Sequence, residues 1–180
     1  MADGGPSRKR PTAAGAPLEV EIVRHESGWA RAQMTDALLR QAARAALRAA
    51  PPLSGGACRV TLVLTGDAEM RDLNRVWRGK DEATNVLSFP ADAVRDRGFL
   101  GDLVLAYETA RKEAHAQGVP LADHVRHLVI HGMLHLLGFD HEEDEDAERM
   151  ETIERIALAS IGVADPYAEA DQARHAGVSP

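Results

Sequence analysis

The segment Arg59–Thr65, with the sequence RVTLVLT, is rich in β-branched residues, and this composition predicts a central strand of a β-sheet. Upstream, Leu18–Arg24 alternates apolar and charged residues with the period of a half-buried strand. Downstream, Asn85–Phe89 (NVLSF) and Leu100–Ala106 (LGDLVLA) have the composition of two more strands, separated by a polar loop. The sequence therefore predicts a sheet of about four strands built around Arg59–Thr65.

Segments with helical periodicity lie between and after these strands. We predict helices over Trp29–Ala49, Asp67–Arg78, Tyr107–Gln117, Leu121–Leu137 and Glu145–Ile161. Ser27 and Asp67 are expected to cap the first two helices. In the second helix, one face is expected to consist of Met70, Leu73 and Trp77. Strands and helices mixed in this order predict an α/β or α+β sandwich, in which helices pack on a small mixed sheet.

The length and composition of the chain indicate one domain. Residues 1–17 are rich in Gly, Pro and Ala, which predicts a disordered tail, and residues 163–180 are predicted to form a flexible tail, leaving a single domain over residues 18–162. Cys58 is the only cysteine, which excludes an intrachain disulfide and a cysteine-based zinc finger and predicts a cytoplasmic protein. No apolar run approaches the ~18 residues of a membrane span, so no membrane partner is expected.

The net charge of −7 comes from one segment. Between Asp140 and Glu151 there are eight acidic residues and one basic residue, and the remainder of the chain carries 20 acidic and 20 basic residues. An acidic protein would ordinarily be a poor candidate for binding nucleic acid, because phosphate contacts require clustered Lys and Arg. Since the excess charge is confined to residues 140–151, it does not exclude such a partner here.

Five of the eight histidines lie in one segment, 124–141, with the sequence HVRHLVIHGMLHLLGFDH. His131 and His135 are four residues apart, so on a helix their imidazoles share a face at the spacing that one metal ion needs. Gly138 permits the left-handed conformation that ends a helix, which lets His141 return as a third ligand. Three histidines leave one tetrahedral position open, as in a catalytic zinc site. The sequence thus predicts one Zn²⁺ ion on a helix near the C-terminus.

Other interpretations of these histidines remain open. A pair formed by His127 and His131 has suitable spacing but lacks the turn and a third ligand. His124 and His127 either line the cleft, orient the ligands by hydrogen bonds, or simply pack in the helix. Histidines of an amphipathic helix can also be core or surface residues with no metal at all.

The spacing H-x-x-x-H-x-x-G-x-x-H is also the metal-binding frame of the metzincin proteases. Those enzymes carry a Glu after the first His as the general base, and this chain has Gly132 there. Hydrolysis of an amide needs a group that accepts the proton of the attacking water. The substitution therefore argues against a peptidase, unless a base comes from elsewhere in the chain.

The stretch His131–His141 (HGMLHLLGFDH) resembles the signature of the YbeY family, H-G-x-L-H-L-x-G-[YF]-D-H. Two further blocks, Leu73–Pro90 and Leu100–Leu103, are similar to other blocks of that family and occur in the same order. The resemblance covers about residues 60–160. It departs from the family pattern at Ala83, where Pro is usual, and at Trp77, where Tyr is usual.

This resemblance implies a single catalytic metalloprotein domain with the activity of a metal-dependent, single-strand-specific endoribonuclease. The family acts in maturation of the 3′ end of small-subunit rRNA and in ribosome quality control, so the implied partners are single-stranded rRNA and the ribosome or its small-subunit proteins. A catalytically weak ribosome-assembly factor with a structural metal is the alternative from another class of protein.

The residues around the second block agree with an RNA substrate. Residues 71–80 carry a charge of +3, from Arg71, Arg75, Arg78 and Lys80 against Asp72, which predicts a phosphate clamp. The family resemblance singles out Arg78 as functionally important. The hypothesis is that zinc polarises a phosphodiester and lowers the pKa of a bound nucleophile, while Arg78 neutralises charge in the transition state.

Two acidic residues beside the third histidine are candidates for the general base. Asp140 and Glu142 flank His141, and Asp140 is a candidate either for the base or for a group that holds a ligand imidazole. Asp102 is a weaker candidate for the same role.

Overall fold

The structure is a computed structural model that describes residues 17–50, 57–92, 98–141 and 144–168. These residues form four strands and six helices, in the order β1 (Leu18–Arg24), α1 (Gly28–Arg31), α2 (Asp36–Ala49), β2 (Cys58–Thr65), α3 (Asp67–Arg78), β3 (Val86–Pro90), β4 (Phe99–Ala106), α4 (Tyr107–Gln117), α5 (Leu121–Leu136) and α6 (Asp144–Ser160).

The four strands form one mixed sheet in the order β1-β2-β4-β3. β1, β2 and β4 run parallel, and β3 pairs with β4 in the antiparallel direction. The central position of β2 agrees with the β-branched composition of that segment, and its Leu62 and Leu64 are fully buried. The predicted fold class, a small mixed sheet with helices packed on it, is confirmed.

Helices cover the sheet in two layers. A large hydrophobic cluster joins α2, α5 and α6 to one face of the sheet. A smaller cluster on the other side contains Met70 of α3 together with Leu87, Val104 and Ala106. The long histidine-bearing helix α5 is thereby held against β3 and β4, at one edge of the sheet.

The predicted helix Trp29–Ala49 is divided in two. A turn with Gln33 at φ 57° separates α1 from α2, and Thr35 caps α2 by accepting a hydrogen bond from the backbone N–H of Leu38. The expected cap at Ser27 is wrong, since its side chain bonds to Glu26 instead of a helix N–H. Trp29 ties α1 to the end of β2, because its indole N–H donates to the carbonyl of Thr65.

Two expectations about α3 also differ from the structure. Asp67 is the first helical residue and Gly66 occupies the cap, while the Asp67 carboxylate accepts a hydrogen bond from the backbone of Thr109. Met70 is buried and Leu73 half-buried, but Trp77 is 67% exposed. The buried face of α3 ends before Trp77. Within the described residues, the one aromatic ring that the Trp77 ring contacts is Phe89, on the edge strand β3.

The chain beyond residue 162 contributes to packing. Val163 packs against the large cluster, and the hydroxyl of Tyr167 donates to the carboxylate of Glu154 on α6. Residues 1–16 and 169–180, where most of the predicted tails fall, lie outside the described residues. No helix among the described residues combines the length and the apolar character needed to cross a bilayer.

α5 and β4 approach each other closely at Gly132. A β-carbon at this position would lie 2.1 Å from Cδ1 of Leu103, a fully buried side chain of β4. The Ser88 hydroxyl also donates to the carbonyl of Gly132, at 3.3 Å. Only glycine allows this spacing without repacking, and the position has no room for the Glu that the protease frame carries there.

We expect Gly132→Ala to destabilise the fold by about 1–3 kcal/mol, because the added methyl group overpacks the α5–β4 contact. The free energy of unfolding in urea measures the effect. In a Leu103→Ala background the same substitution should cost less, since the clashing side chain is gone. If helix propensity alone decided the outcome, the alanine would raise the free energy of unfolding by roughly 0.5–1 kcal/mol. Such a gain in stability would contradict the close approach of Gly132 and Leu103.

Candidate metal centre

Two histidines of α5 point their Nε2 atoms at one place. His131 and His135 are one turn apart on the same face, and their Nε2 atoms are separated by 3.1 Å. Two nitrogens that share a tetrahedral Zn²⁺ at about 2.0–2.1 Å lie roughly 3.3 Å apart. The pair therefore has the separation of two ligands of one ion.

His141 joins this pair through the turn after α5. Gly138 adopts φ 87°, and its N–H and that of Phe139 bond back to the last turn of the helix. The ring centroid of His141 then lies 5.0 Å from that of His135 and 5.7 Å from that of His131. One nitrogen from each of the three rings falls within 4.8 Å of the others, so this group could hold a metal ion.

The remaining ring nitrogens of the α5 pair have acceptors. His131 Nδ1 lies 2.7 Å from Oε1 of Glu154, and His135 Nδ1 lies 3.1 Å from the carbonyl oxygen of Phe139. An acceptor at Nδ1 requires the proton there, which leaves the Nε2 lone pair for a metal. Burial, and then the neighbouring His131 and His141, lower the pKa of His135 and so favour the neutral form that a ligand needs. The donor set therefore fits a metal ion.

Glu154 is a candidate site residue that the sequence did not indicate as one. It is 1% exposed on α6, and its carboxylate is bonded by His131, by His127 at 3.4 Å, and by the hydroxyl of Tyr167. Burial alone would raise its pKa, but these hydrogen bonds outweigh burial and hold the pKa below its ordinary value. A signal was present, because Glu154 interrupts the apolar stripe of the last helix, formed by Met150, Ile153, Ala157 and Leu158.

The other two histidines of α5 lie outside the trio. His124 is buried and its Nε2 lies 2.8 Å from Glu113 of α4, so it ties two helices together. His127 contacts Glu154 and Tyr167, and thus supports the group that holds His131. Glu113 also accepts hydrogen bonds from the side chain of Asn85 at the edge of the cleft.

An open cleft of about 580 Å³ lies in front of the histidine trio. α3 contributes Arg78, its last residue, and the edge strand and the preceding loop contribute the opposite wall. The lining residues beyond the trio are Arg78, Thr84, Asn85, Val86, Ser88, Pro90, Gly138, Phe139 and Asp140. Two stretches of the chain, 78–90 and 131–141, thus meet at the cleft.

The comparison with known families agrees with this arrangement. A family model described as "Endoribonuclease YbeY" matches residues 25–162. The chain belongs to the YbeY family. The resemblance inferred from the three sequence blocks is confirmed, and the cleft just described lies within the matched region.

Several proteins named "Endoribonuclease YbeY" are similar to this YbeY-family chain over most of its length. The protein of Paramagnetospirillum magneticum is 49% identical over 149 residues, covering 78% of this chain and 90% of that protein. That of Parvibaculum lavamentivorans is 42% identical over 179 residues, covering 92% and 95%. The solution structure of a Thermotoga maritima protein matches with a TM-score of 0.51 at 22% identity, covering 82% of this chain and 97% of that one, and supports the fold alone.

The cationic cluster of this YbeY-family chain is smaller than its sequence predicts. Arg71 forms a two-pronged hydrogen bond with Asp81, and Arg75 pairs with Asp72 at 2.7 Å and approaches Asp81 at 3.8 Å. The clamp over residues 71–80 stays a prediction, and Asp81, just outside that window, offsets part of its charge. Arg78 lines the cleft and has no carboxylate partner among the described residues.

The predicted acidic candidates are divided by the fold. Asp140 is exposed in the cleft, where its Oδ1 accepts a hydrogen bond from the backbone N–H of His141 at 2.7 Å. Asp102 pairs with Phe89 across β3 and β4, and this pair faces α3, on the opposite side of the sheet from α5. Asp102 is therefore not in the site. Glu142 lies outside the described residues.

We expect Glu154→Gln to weaken metal binding by about 10- to 100-fold, because the carboxylate that orients His131 and fixes its tautomer is replaced by a neutral amide. Competition with a chromogenic chelator measures the dissociation constant. Glu151→Gln, on the same helix and half-buried, is the control and should bind metal like the unmodified chain. Equal affinity for both variants would show that Glu154 has no role in holding the metal.

Proposed function

We propose that this chain is a zinc-dependent endoribonuclease that cleaves single-stranded RNA during maturation of the 3′ end of small-subunit rRNA and in ribosome quality control. The observation that carries the proposal is the three-histidine donor set, which faces an open cleft beside the cation of Arg78. The name "Endoribonuclease YbeY" of the relatives supports the same activity.

In this proposal His131, His135 and His141 hold one Zn²⁺. A bound zinc ion supplies a Lewis acid that polarises a phosphodiester. Imidazole ligands also suit nickel and other first-row ions. Zinc is proposed because three imidazoles with one open position are a donor set typical of catalytic zinc.

The chain's own groups bind and orient the substrate. The guanidinium of Arg78 binds a phosphate and neutralises charge that develops on it in the transition state. Glu154 and the carbonyl of Phe139 keep the two α5 imidazoles in fixed orientations. Asp140, exposed in the same cleft, is proposed either as the proton acceptor or as a group that orients His141.

A peptidase is disfavoured by the packing at Gly132. The protease frame places its general base at that position, and here the position is filled by the approach of Leu103. We propose that the partners are single-stranded rRNA and the ribosomal small subunit, and that the chain acts in the cytoplasm.

The test is metal analysis of the purified protein combined with cleavage assays on a single-stranded and a duplex RNA of the same sequence. We expect about one metal ion per chain, cleavage of the single strand, and loss of that cleavage on chelation with recovery on adding zinc. Cleavage that survives complete removal of the metal would contradict the proposal. Metal-dependent cleavage of casein would favour the peptidase, and bound metal with no cleavage of RNA would favour an assembly factor.

A further inference from the structure

A large aromatic side chain lies exposed next to the cleft. Trp77, in the last turn of α3, has 67% of its surface exposed, whereas most large apolar side chains of the described residues are buried. Its ring is held edge-to-face against Phe89, with the centroids 5.8 Å apart and an interplanar angle of 65°. The contact with Phe89 therefore holds the indole in place while most of its surface stays exposed to solvent.

Trp77 does not itself line the cleft, but it is joined to residues that do. It directly precedes Arg78, which lines the cleft, and the residue it contacts, Phe89, lies between Ser88 and Pro90, which also line it. Side chains alternate along β3, so Phe89 and Trp77 are on one side of this edge strand while the histidines are on the other. To reach the indole from Arg78, a strand of RNA has to cross the edge of the sheet to the α3 side.

The charge around Trp77 also favours a nucleic acid. Arg78 and Lys80 are exposed, and neither has a carboxylate partner within the described ranges. Arg71 and Arg75, further from the cleft along the helix, are the ones that Asp81 and Asp72 neutralise. The unpaired positive charge of residues 71–80 is thus carried by the two cations that follow Trp77 in the chain.

We propose that Trp77 stacks on an unpaired base next to the phosphate bound by Arg78, and so contributes to selection of single-stranded RNA. Aromatic platforms bind bases of any sequence through their π-faces, and bases within a duplex are already stacked and unavailable. A protein partner would cover the same surface, but the cationic neighbours and the continuity with the cleft favour RNA. This inference rests on the proposed nuclease function.

Tryptophan fluorescence gives a direct test, because the chain has two tryptophans and Trp29 is fully buried. The metal-loaded protein is titrated with a short single-stranded RNA whose 2′-O-methyl and phosphorothioate groups resist cleavage. We expect binding to quench the fluorescence, and no quenching in Trp77→Phe, which keeps an aromatic face and most of the affinity. Trp77→Ala should bind about 5- to 140-fold more weakly, the range expected for loss of one stacked base.

The matched control is Val76→Ala, on the same turn of α3 and 70% exposed, which should bind RNA like the unmodified chain. A series of oligonucleotides, each lacking the base at one position, identifies the stacked base. Removal of that base should weaken binding to the unmodified chain and leave binding to Trp77→Ala unchanged.

Equal affinity of Trp77→Ala and the unmodified chain, with no sensitive abasic position, would overturn the stacking proposal and point to a protein partner on this surface. In that case cleavage of single-stranded RNA by the unmodified chain would leave the proposed function intact. Failure of the unmodified chain both to bind and to cleave RNA would overturn the two proposals together.

Discussion

His135→Ala is expected to abolish metal binding and to reduce RNA cleavage to background. Its Nε2 lies 3.1 Å from that of His131, so the substitution removes half of the rigid pair on α5. The two remaining histidines then include His141, which is exposed and comes from the turn. We expect the affinity for metal to fall by more than about 100-fold, since even loss of a group that only orients a ligand costs 10- to 100-fold.

Metal content after dialysis against a defined free-zinc concentration, together with cleavage of a single-stranded RNA, measures both effects. His115→Ala is a matched control, because His115 is exposed on α4 and does not line the cleft. It should keep both metal and activity. Cleavage that persists in a His135→Ala protein lacking metal would place the activity at another site.

Arg78→Ala should leave the metal site loaded and reduce RNA cleavage by about 100- to 1,000-fold, the usual effect of removing one group that stabilises transition-state charge. Arg78 is the last residue of α3, exposed, and has no carboxylate partner in the described part of the chain. Its loss therefore breaks no ion pair of the described fold. Arg78→Lys should restore part of the activity, since a lysine keeps the charge but not the planar fork.

The comparison with Arg75→Ala makes this test specific. Arg75 is exposed on the same helix but bonds to Asp72, and we expect its variant to cleave RNA at nearly the normal rate. Metal content and the urea midpoint should be the same in both variants. Normal cleavage by Arg78→Ala would remove the arginine from the proposed mechanism, whatever the result for the histidines.

The helices and strands were largely predictable because they depend on short-range patterns. The predicted α4, Tyr107–Gln117, has the same bounds in the structure, and α5 differs by one residue at its end. The division between α1 and α2 was not predictable from periodicity, since it occurs at a turn in which Gln33, which is not a glycine, adopts a positive φ. The exposure of Trp77 likewise depends on where the sheet ends beneath α3.

The histidine trio was predictable for the same local reason. His131 and His135 are brought together by one turn of helix, and Gly138 reverses the chain within three residues, so no distant contact is needed to assemble the three rings. Glu154 and Arg78 are different, because each comes from another element and reaches the site only through packing of that element on the sheet.

The sequence by itself determined the order of the elements, the family and the candidate ligand set, because these follow from residue types and spacings over a few positions. Tertiary structure alone decided which groups surround the ligands. It placed Glu154 beside His131, opposed Gly132 to Leu103, and paired Arg71 with Asp81. Such contacts join residues of different segments, and which segments meet is decided by how the elements pack, which no local pattern encodes.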